Sequence, residues 1–215
     1  HAKKIRMKRR NFNKTFATSI AGLTLSNNLF SNNDKKNKLG VALVGLGSYS
    51  KNALGPALTE TKLCKLSAVV TGSIEKHDYW KKQYGLKDSQ IYNYENFNSI
   101  AENDEIDIVY IVLPNNMHKE FSIKALECGK HVICEKPMAM NAVEAEEMIK
   151  VSKKVKKDLF IGYRLHYDPY HLECIKYCKN ETFGKLNVVL AEFGYGISNN
   201  NHWKLKKSFG GGALM

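Results

Sequence analysis

Apolar residues in this chain follow two rhythms. From position 39 onward, short runs that are apolar at nearly every position alternate with longer stretches where apolar residues recur every three or four. The first rhythm predicts strands buried on both faces, and the second predicts helices with one buried face. Strands are expected over 40–44, 66–70, 91–94, 106–113, 131–134 and 159–161. Helices are expected over 52–61, 75–84, 97–101, 119–127 and 141–156. The 106–113 run is the strongest, with Ile108, Val109, Ile111 and Val112 covering both faces and Pro114 as its stop. Gly55-Pro56 interrupts the first helix, although Pro56 suits a first helical turn, where its missing N–H costs little. In 141–156, Val143, Met148, Ile149 and Val151 fall on or near one face.

Strand, helix and strand in repetition predict an α/β fold, a doubly wound parallel sheet of Rossmann type. After Tyr163 the rhythm changes to a helix over 169–180 and a longer alternating strand over 185–193. That change reads as the start of a second, α+β domain, expected to be truncated because the chain stops in mid-element at Met215. The expected organisation is residues 1–38 as leader and linker, 39–162 as the sheet domain and 163–215 as the opening of the second domain.

Composition adjusts this picture at the N-terminus. Apolar residues make up 43% of 215 positions, enough for a sizeable core, and no apolar run approaches the roughly 18 residues of a spanning helix. The net charge of +12 suggests a nucleic-acid partner, but residues 1–38 carry ten Lys or Arg against one acid, Asp34. The remainder is only mildly basic, without a stripe of cations interleaved with aromatics, so no nucleic-acid partner is expected. The segment Arg9-Arg10-Asn11-Phe12-Asn13-Lys14, followed by a weakly apolar stretch over 16–25 and a polar linker, resembles a twin-arginine export signal. Asn13 stands where Leu is usual, and no clear Ala-x-Ala cleavage site follows. Met7 is a plausible start, and a basic disordered tail is the alternative reading. Export to the periplasm through the twin-arginine machinery is the expectation. Five cysteines at 64, 128, 134, 174 and 178 form no Cys-x-x-Cys, which argues against a disulfide framework or a metal site. Cys174 and Cys178 share a helix face, for which core packing is the expected reason.

The chemistry concentrates at two places. After the first strand comes Gly45-Leu46-Gly47-Ser48-Tyr49-Ser50, a Gly-x-Gly-x-x-Ser loop. The first glycine permits the tight turn and the second lets the backbone approach a pyrophosphate. The third position needs a small residue for helix–strand packing, and the helix N-terminus offers free N–H groups. An ordinary glycine turn is the alternative. The second strand ends in Thr71-Gly72-Ser73 with Lys76 beyond and no acid at its tip. An acid there would bind a ribose 2′-OH and repel a 2′-phosphate, so NADP is expected rather than NAD, with Glu75 the dissenting charge. The second place is Glu135-Lys136-Pro137, at the carboxyl end of the fifth strand, where such sheets bind ligands. A lysine there, beside a cationic nicotinamide and partly desolvated, is expected to have a lowered pKa and to exchange the proton of a substrate alcohol. Pro137 would aim Lys136, and Glu135 would bind the nicotinamide ribose. A surface Glu–Lys pair is the alternative.

These residues resemble the glucose–fructose oxidoreductase and inositol dehydrogenase family (Gfo/Idh/MocA), from about Leu39 to Met215. The landmarks are Gly45-Leu46-Gly47, the 91–97 segment, Leu113-Pro114-Asn115-Asn116-Met117-His118 and the 129–137 segment ending in Glu135-Lys136-Pro137. They continue with Gly162-Tyr163-Arg164-Leu165-His166-Tyr167-Asp168-Pro169, Gly184-Lys185-Leu186, and Trp203 before Gly210-Gly211-Gly212. The 163–169 segment and the twin-arginine start are most similar to the glucose–fructose oxidoreductase branch, whose members hold NADP tightly and are exported folded. The resemblance implies an NADP-dependent oxidoreductase acting on a sugar or cyclic polyol, a homo-oligomer when full length, with Lys136 catalytic. It implies that Leu113, Pro114, Asn115 and His118 line the cofactor, with Arg164 beside it and Trp203 over it. It further implies that Tyr163 and His166 face the sugar. The bland alternatives are a helix start for His118, domain-junction packing for His166 and Tyr167, and a core aromatic for Trp203. Lys204 stands where Arg often follows the Trp, and the chain stops before the family's second catalytic side chain. The same family also contains nicotinamide-dependent glycosidases and non-catalytic regulators. Lys136 and the export signal argue against the regulator.

Overall fold

The computed structural model describes residues 38–192, 194, 196–197 and 200–212. The twin-arginine-like segment lies outside the described residues. Six parallel strands form one sheet: β1 Leu39–Val44, β2 Cys64–Val70, β3 Ile91–Tyr92, β4 Ile108–Ile111, β5 His131–Cys134 and β6 Leu159–Ile161, in the order β3-β2-β1-β4-β5-β6. This is the doubly wound arrangement, with β1 and β4 side by side where the order reverses. The α-helices among the described residues are α1 Gly55–Glu60, α2 His77–Tyr84, α3 His118–Glu127, α4 Ala142–Val155 and α5 Pro169–Lys179.

The alternation along each strand divides the core in two. Ala42, Val44, Val70, Val109, Ile111 and Val132 point to one face, where Phe121, Leu126 and Met148 of α3 and α4 cover them. Val41, Leu43 and Val69 point to the other, against Trp80 of α2 and Leu54 and Leu58 at α1. Trp80 is 1% exposed and stacks on Tyr84 with ring centroids 4.9 Å apart. Burying each such apolar side chain contributes about 1.5–3 kcal/mol, which is why the strands read as continuous apolar runs.

Local chemistry sets the helix ends. Asn141 caps α4 by accepting from the Glu144 N–H at 3.0 Å, while Glu144 accepts from the Met140 N–H at 3.1 Å. At the start of α1 the interruption expected at Gly55-Pro56 takes the form of a change in helix type without a break in the helical run. A π-type turn over Ser50–Leu54 runs directly into α1, with Pro56 in its first turn. On α4 the buried face is Ala145, Met148, Val151 and Val155, whereas Val143 and Ile149 are 66% and 41% exposed. The 3.6-residue period carries those two away from Met148's side.

Two expectations fail beyond Tyr163. Cys174 and Cys178 are exposed on α5 rather than packed in a core. Residues 185–192 form no strand, and Val188, Val189 and Leu190 are 71%, 73% and 89% exposed. An alternating pattern specifies a sheet face, but a strand also needs a neighbour to pair its backbone groups, and no described strand lies beside it.

Asp168 caps α5, accepting from the N–H groups of Tyr170 at 3.0 Å and His171 at 3.1 Å, with His171 Nδ1 at 2.9 Å. The His171 ring, and then its backbone N–H, hold the Asp168 carboxyl below its ordinary value. A depressed carboxylate stabilises above its unfolded value and loses that contribution as pH falls through the lowered folded value. Amide-exchange protection at Tyr170 and His171 should therefore fall on acidification through that range. Asp168→Asn, whose amide oxygen still accepts, should flatten the dependence; an unaltered profile in that variant would refute the assignment.

Candidate functional site

All six strands end at one edge, and the loops after β1, β2, β4, β5 and β6 meet there. The β1 loop turns at Gly45, which has φ +92° and whose N–H still donates to Val70 O at 3.0 Å. A Cβ there would sit 2.4 Å from Val112 O, so no other residue fits. Leu46 is buried and anchors the loop, while Gly47, Ser48 and Tyr49 are exposed. A Cβ on Gly47 would meet no atom within 4 Å, so the backbone lies open to close approach. The helical run begins at Ser48, and Lys51 N–H donates to Gly47 O at 3.0 Å. Its first-turn N–H groups have no intrahelical acceptor and form the positive end of the helix. Ser50 is buried and donates to Gly45 O at 2.6 Å, so the hydroxyl at the third loop position is satisfied where a glycine is usual. This cradle fits the pyrophosphate of a dinucleotide.

At the β2 tip Thr71 is 3% exposed and its Oγ1 accepts from Ser73 N–H at 3.2 Å. Thr71 therefore shapes the turn. The accessible members of the expected phosphate set are Gly72, Ser73 and Lys76, the first exposed and the others half-buried.

The β4 loop departs further from expectation. Leu113 and Asn115 are each 7% exposed, and the Asn115 amide donates to Gly210 O at 2.7 Å. That bond brings the 203–212 segment to the same edge, with Trp203 half-buried in the turn Trp203–Leu205. His118 is 0% exposed, which removes it from the cofactor-lining set. Its Nδ1 lies 2.7 Å from Pro137 O and its Nε2 2.9 Å from Leu113 O.

On the β5 loop Lys136 is exposed. The described residues thus do not supply the partial desolvation expected at this position. Glu135 is half-buried and held from two sides. Tyr110 Oη donates to its Oε1 at 2.8 Å, and Lys136 N–H donates to its Oε2 at 3.3 Å. Burial, and then the Glu135 charge, push the Tyr110 hydroxyl far up, so it remains a donor. Tyr49 joins the cluster through a hydrogen bond with Tyr110. Its hydroxyl is raised by burial and then Glu135, and partly offset by the Arg164 charge. The glycine loop, β4, β5 and the turn after β6 thus share one polar cluster. Tyr110 is the member that sequence reasoning missed; its only signal was a polar tip within the apolar run Ile108–Ile111. Tyr163 and His166 are exposed and stacked at 5.8 Å, and Tyr167 is 82% exposed, so His166 and Tyr167 pack no junction among the described residues. Burial pushes the Cys134 thiol up to about 12, which excludes it as a nucleophile.

A model of the Gfo/Idh/MocA oxidoreductase family, NAD-binding Rossmann fold, matches residues 39–163. A D-xylose 1-dehydrogenase (NADP(+)) of Haloarcula marismortui is 32% identical over 133 residues, 62% of this chain and 37% of that protein. A scyllo-inositol 2-dehydrogenase (NADP(+)) of Bacillus subtilis is 37% identical over 89 residues, 41% of this chain and 26% of that protein. The crystal structure of an aldose-aldose oxidoreductase from Caulobacter crescentus, complexed with glycerol, superposes with a TM-score of 0.80 at 38% identity. That match covers 83% of this chain and 53% of the other. The chain therefore spans about half of that structure and less of the two curated relatives.

Gly162 lies beneath Glu135, where a Cβ would come 2.8 Å from Glu135 Oε1. Gly162→Ala should cost on the order of 1–3 kcal/mol by forcing that carboxylate off Tyr110. In a Glu135→Ala background the cost should largely vanish, read from denaturation midpoints in a double-mutant cycle. Equal costs in both backgrounds would sink the steric account.

Proposed function

We propose a reaction from this premise: the chain belongs to the Gfo/Idh/MocA oxidoreductase family, with its NAD-binding Rossmann fold. The whole protein is an NADP-dependent oxidoreductase that moves hydride between the nicotinamide and a hydroxyl-bearing carbon of a sugar or cyclic polyol. One observation carries this reading: an exposed lysine, Lys136, follows β5 on the sheet edge that also bears the open glycine loop. The names of the xylose and scyllo-inositol dehydrogenases, both NADP(+), support it.

Gly47, Ser48 and Tyr49 hold the pyrophosphate through backbone N–H groups. Ser73 and Lys76 meet the 2′-phosphate at a β2 tip without an acid. Glu135 binds the nicotinamide ribose and is kept in place by Tyr110. NADP, when bound, supplies the hydride acceptor. The Lys136 amine takes the proton from the hydroxyl oxygen as hydride departs from the carbon that bears it, leaving a carbonyl and an ammonium. In the reverse direction the ammonium returns that proton. Tyr163 and His166 are the side chains offered to the sugar.

The 38% identity to an aldose-aldose oxidoreductase supports a narrower reading: one sugar is oxidised and another reduced on a retained cofactor. Arg9-Arg10 and the residues after them support export of the folded, loaded protein to the periplasm by the twin-arginine machinery. Assembly as a homo-oligomer belongs to the same reading.

The full-length protein should purify with, or take up, NADPH whose fluorescence a sugar lactone quenches; a protein that binds no dinucleotide would sink the proposal. Lys136→Ala should retain cofactor and lose about 100-fold or more in turnover. Undiminished turnover would refute its role. Gly47→Ala should leave the denaturation midpoint unchanged, since its methyl meets no protein atom within 4 Å, yet weaken NADPH binding at least tenfold. Normal affinity would exclude the loop as the pyrophosphate cradle.

A further inference from the structure

The backbone pairing of β4 with β5 stops just short of the reacting lysine. Its last rung is Glu135 N–H donating to Ile111 O at 3.0 Å. The next amide, Lys136 N–H, turns to the Glu135 carboxylate at 3.3 Å, Val112 N–H goes across to Val44 O on β1 at 2.8 Å, and Pro114 and Pro137 have no N–H to give. Leu113 O and Pro137 O are both acceptors and cannot bind one another, so a tie across the gap between them needs a donor set in it.

His118 occupies that gap. Its ring is 0% exposed, with Nδ1 2.7 Å from Pro137 O and Nε2 2.9 Å from Leu113 O. A ring with one N–H donates to one of these carbonyls, and it ties the β4 side to the β5 loop only when it is the Nδ1–H that reaches Pro137 O. Pro137 follows Lys136 directly, and Leu113 O lies on the loop that leaves β4. The ring is in turn fixed from behind. His118 opens the ten-residue helix α3, whose Phe121, Ala125 and Leu126 are buried in the core. The preceding turn closes with Met117 N–H donating to Pro114 O at 2.9 Å.

We propose that His118 is the positioning residue of Lys136, replacing the missing rung between the β4 and β5 loops and thereby fixing the backbone from which the lysine reaches the substrate. This rests on the reading of Lys136 as the proton-exchanging group. His118 touches neither cofactor nor substrate. Its removal loosens the loop and leaves the pyrophosphate cradle after β1 intact. A side chain with one amide donor restores part of the tie.

The test uses the full-length protein with His118→Phe, His118→Gln and Lys136→Ala. His118→Phe should lower kcat at least tenfold with the Kd for NADPH changed less than about twofold. His118→Gln should recover part of the lost kcat. Without cofactor, hydrogen exchange of the peptide over 135–140 should quicken in His118→Phe, recover partly in His118→Gln, and stay unchanged over 64–70. If His118→Phe does not fold, His118→Gln alone decides, with lowered kcat and quickened exchange expected. Wild-type kcat and exchange in the folded variants would overturn the proposal. So would parallel loss of kcat and NADPH affinity, which marks a general scaffold role. Undiminished turnover in Lys136→Ala would instead overturn the reading of the lysine, whatever His118 does.

Discussion

Everything at the candidate site follows from one directional constraint: every strand of the sheet runs the same way. Parallel neighbours cannot be joined by tight hairpins, so each connection crosses the sheet through a helix and returns to the same starting edge. The opposite edge then collects every carboxyl-end loop. Residues as distant in sequence as Gly45, Ser73, Glu135 and Arg164 are delivered to that edge by topology. Reversing β1 or β4 would send the glycine loop or the Leu113 loop to the wrong end.

Direction alone does not hold the loops once the strands stop, and beyond the ladders polar side chains take over. Ser50 closes the β1 turn, Thr71 the β2 turn, and His118 the space between the β4 and β5 loops. Asn115 draws in Gly210 from 95 residues away. These buried polar groups face carbonyls or N–H groups that an apolar substitute would leave unmatched, at about 1–3 kcal/mol each. Their bonds are spent within the protein, while the groups left outward, Gly47, Ser73, Lys76 and Lys136, are those with chemistry to offer a ligand.

Much of the fold was legible because a strand buried on both faces has to be apolar throughout. The bounds of β5 and β6 coincide with their apolar runs, and α4 lies between its cap Asn141 and Lys156. The residues at 185–192 were misread for a physical reason: alternation records which face a strand would bury, and pairing depends on a neighbour that the local pattern does not contain. The glycine loop and Glu135-Lys136-Pro137 could be read because backbone geometry demands particular residue types there. The role of His118 could not, since one residue letter serves equally for a ring lining a cofactor and a ring buried between two carbonyls. Tyr110 was hidden likewise, because a tyrosine in an apolar strand looks like core until its hydroxyl is found against Glu135.

The absence of a side chain at Gly162 bears on how this pocket can diversify. The space that a methyl would fill is already taken by the Glu135 carboxylate. Positions 135 and 162 therefore share a single volume, and a change at one alters what the other tolerates. A shorter acid at 135 would release room for alanine at 162, whereas alanine arriving first would meet an occupied site. The order of substitutions, as much as their identity, decides which descendants of this pocket can be reached by single steps.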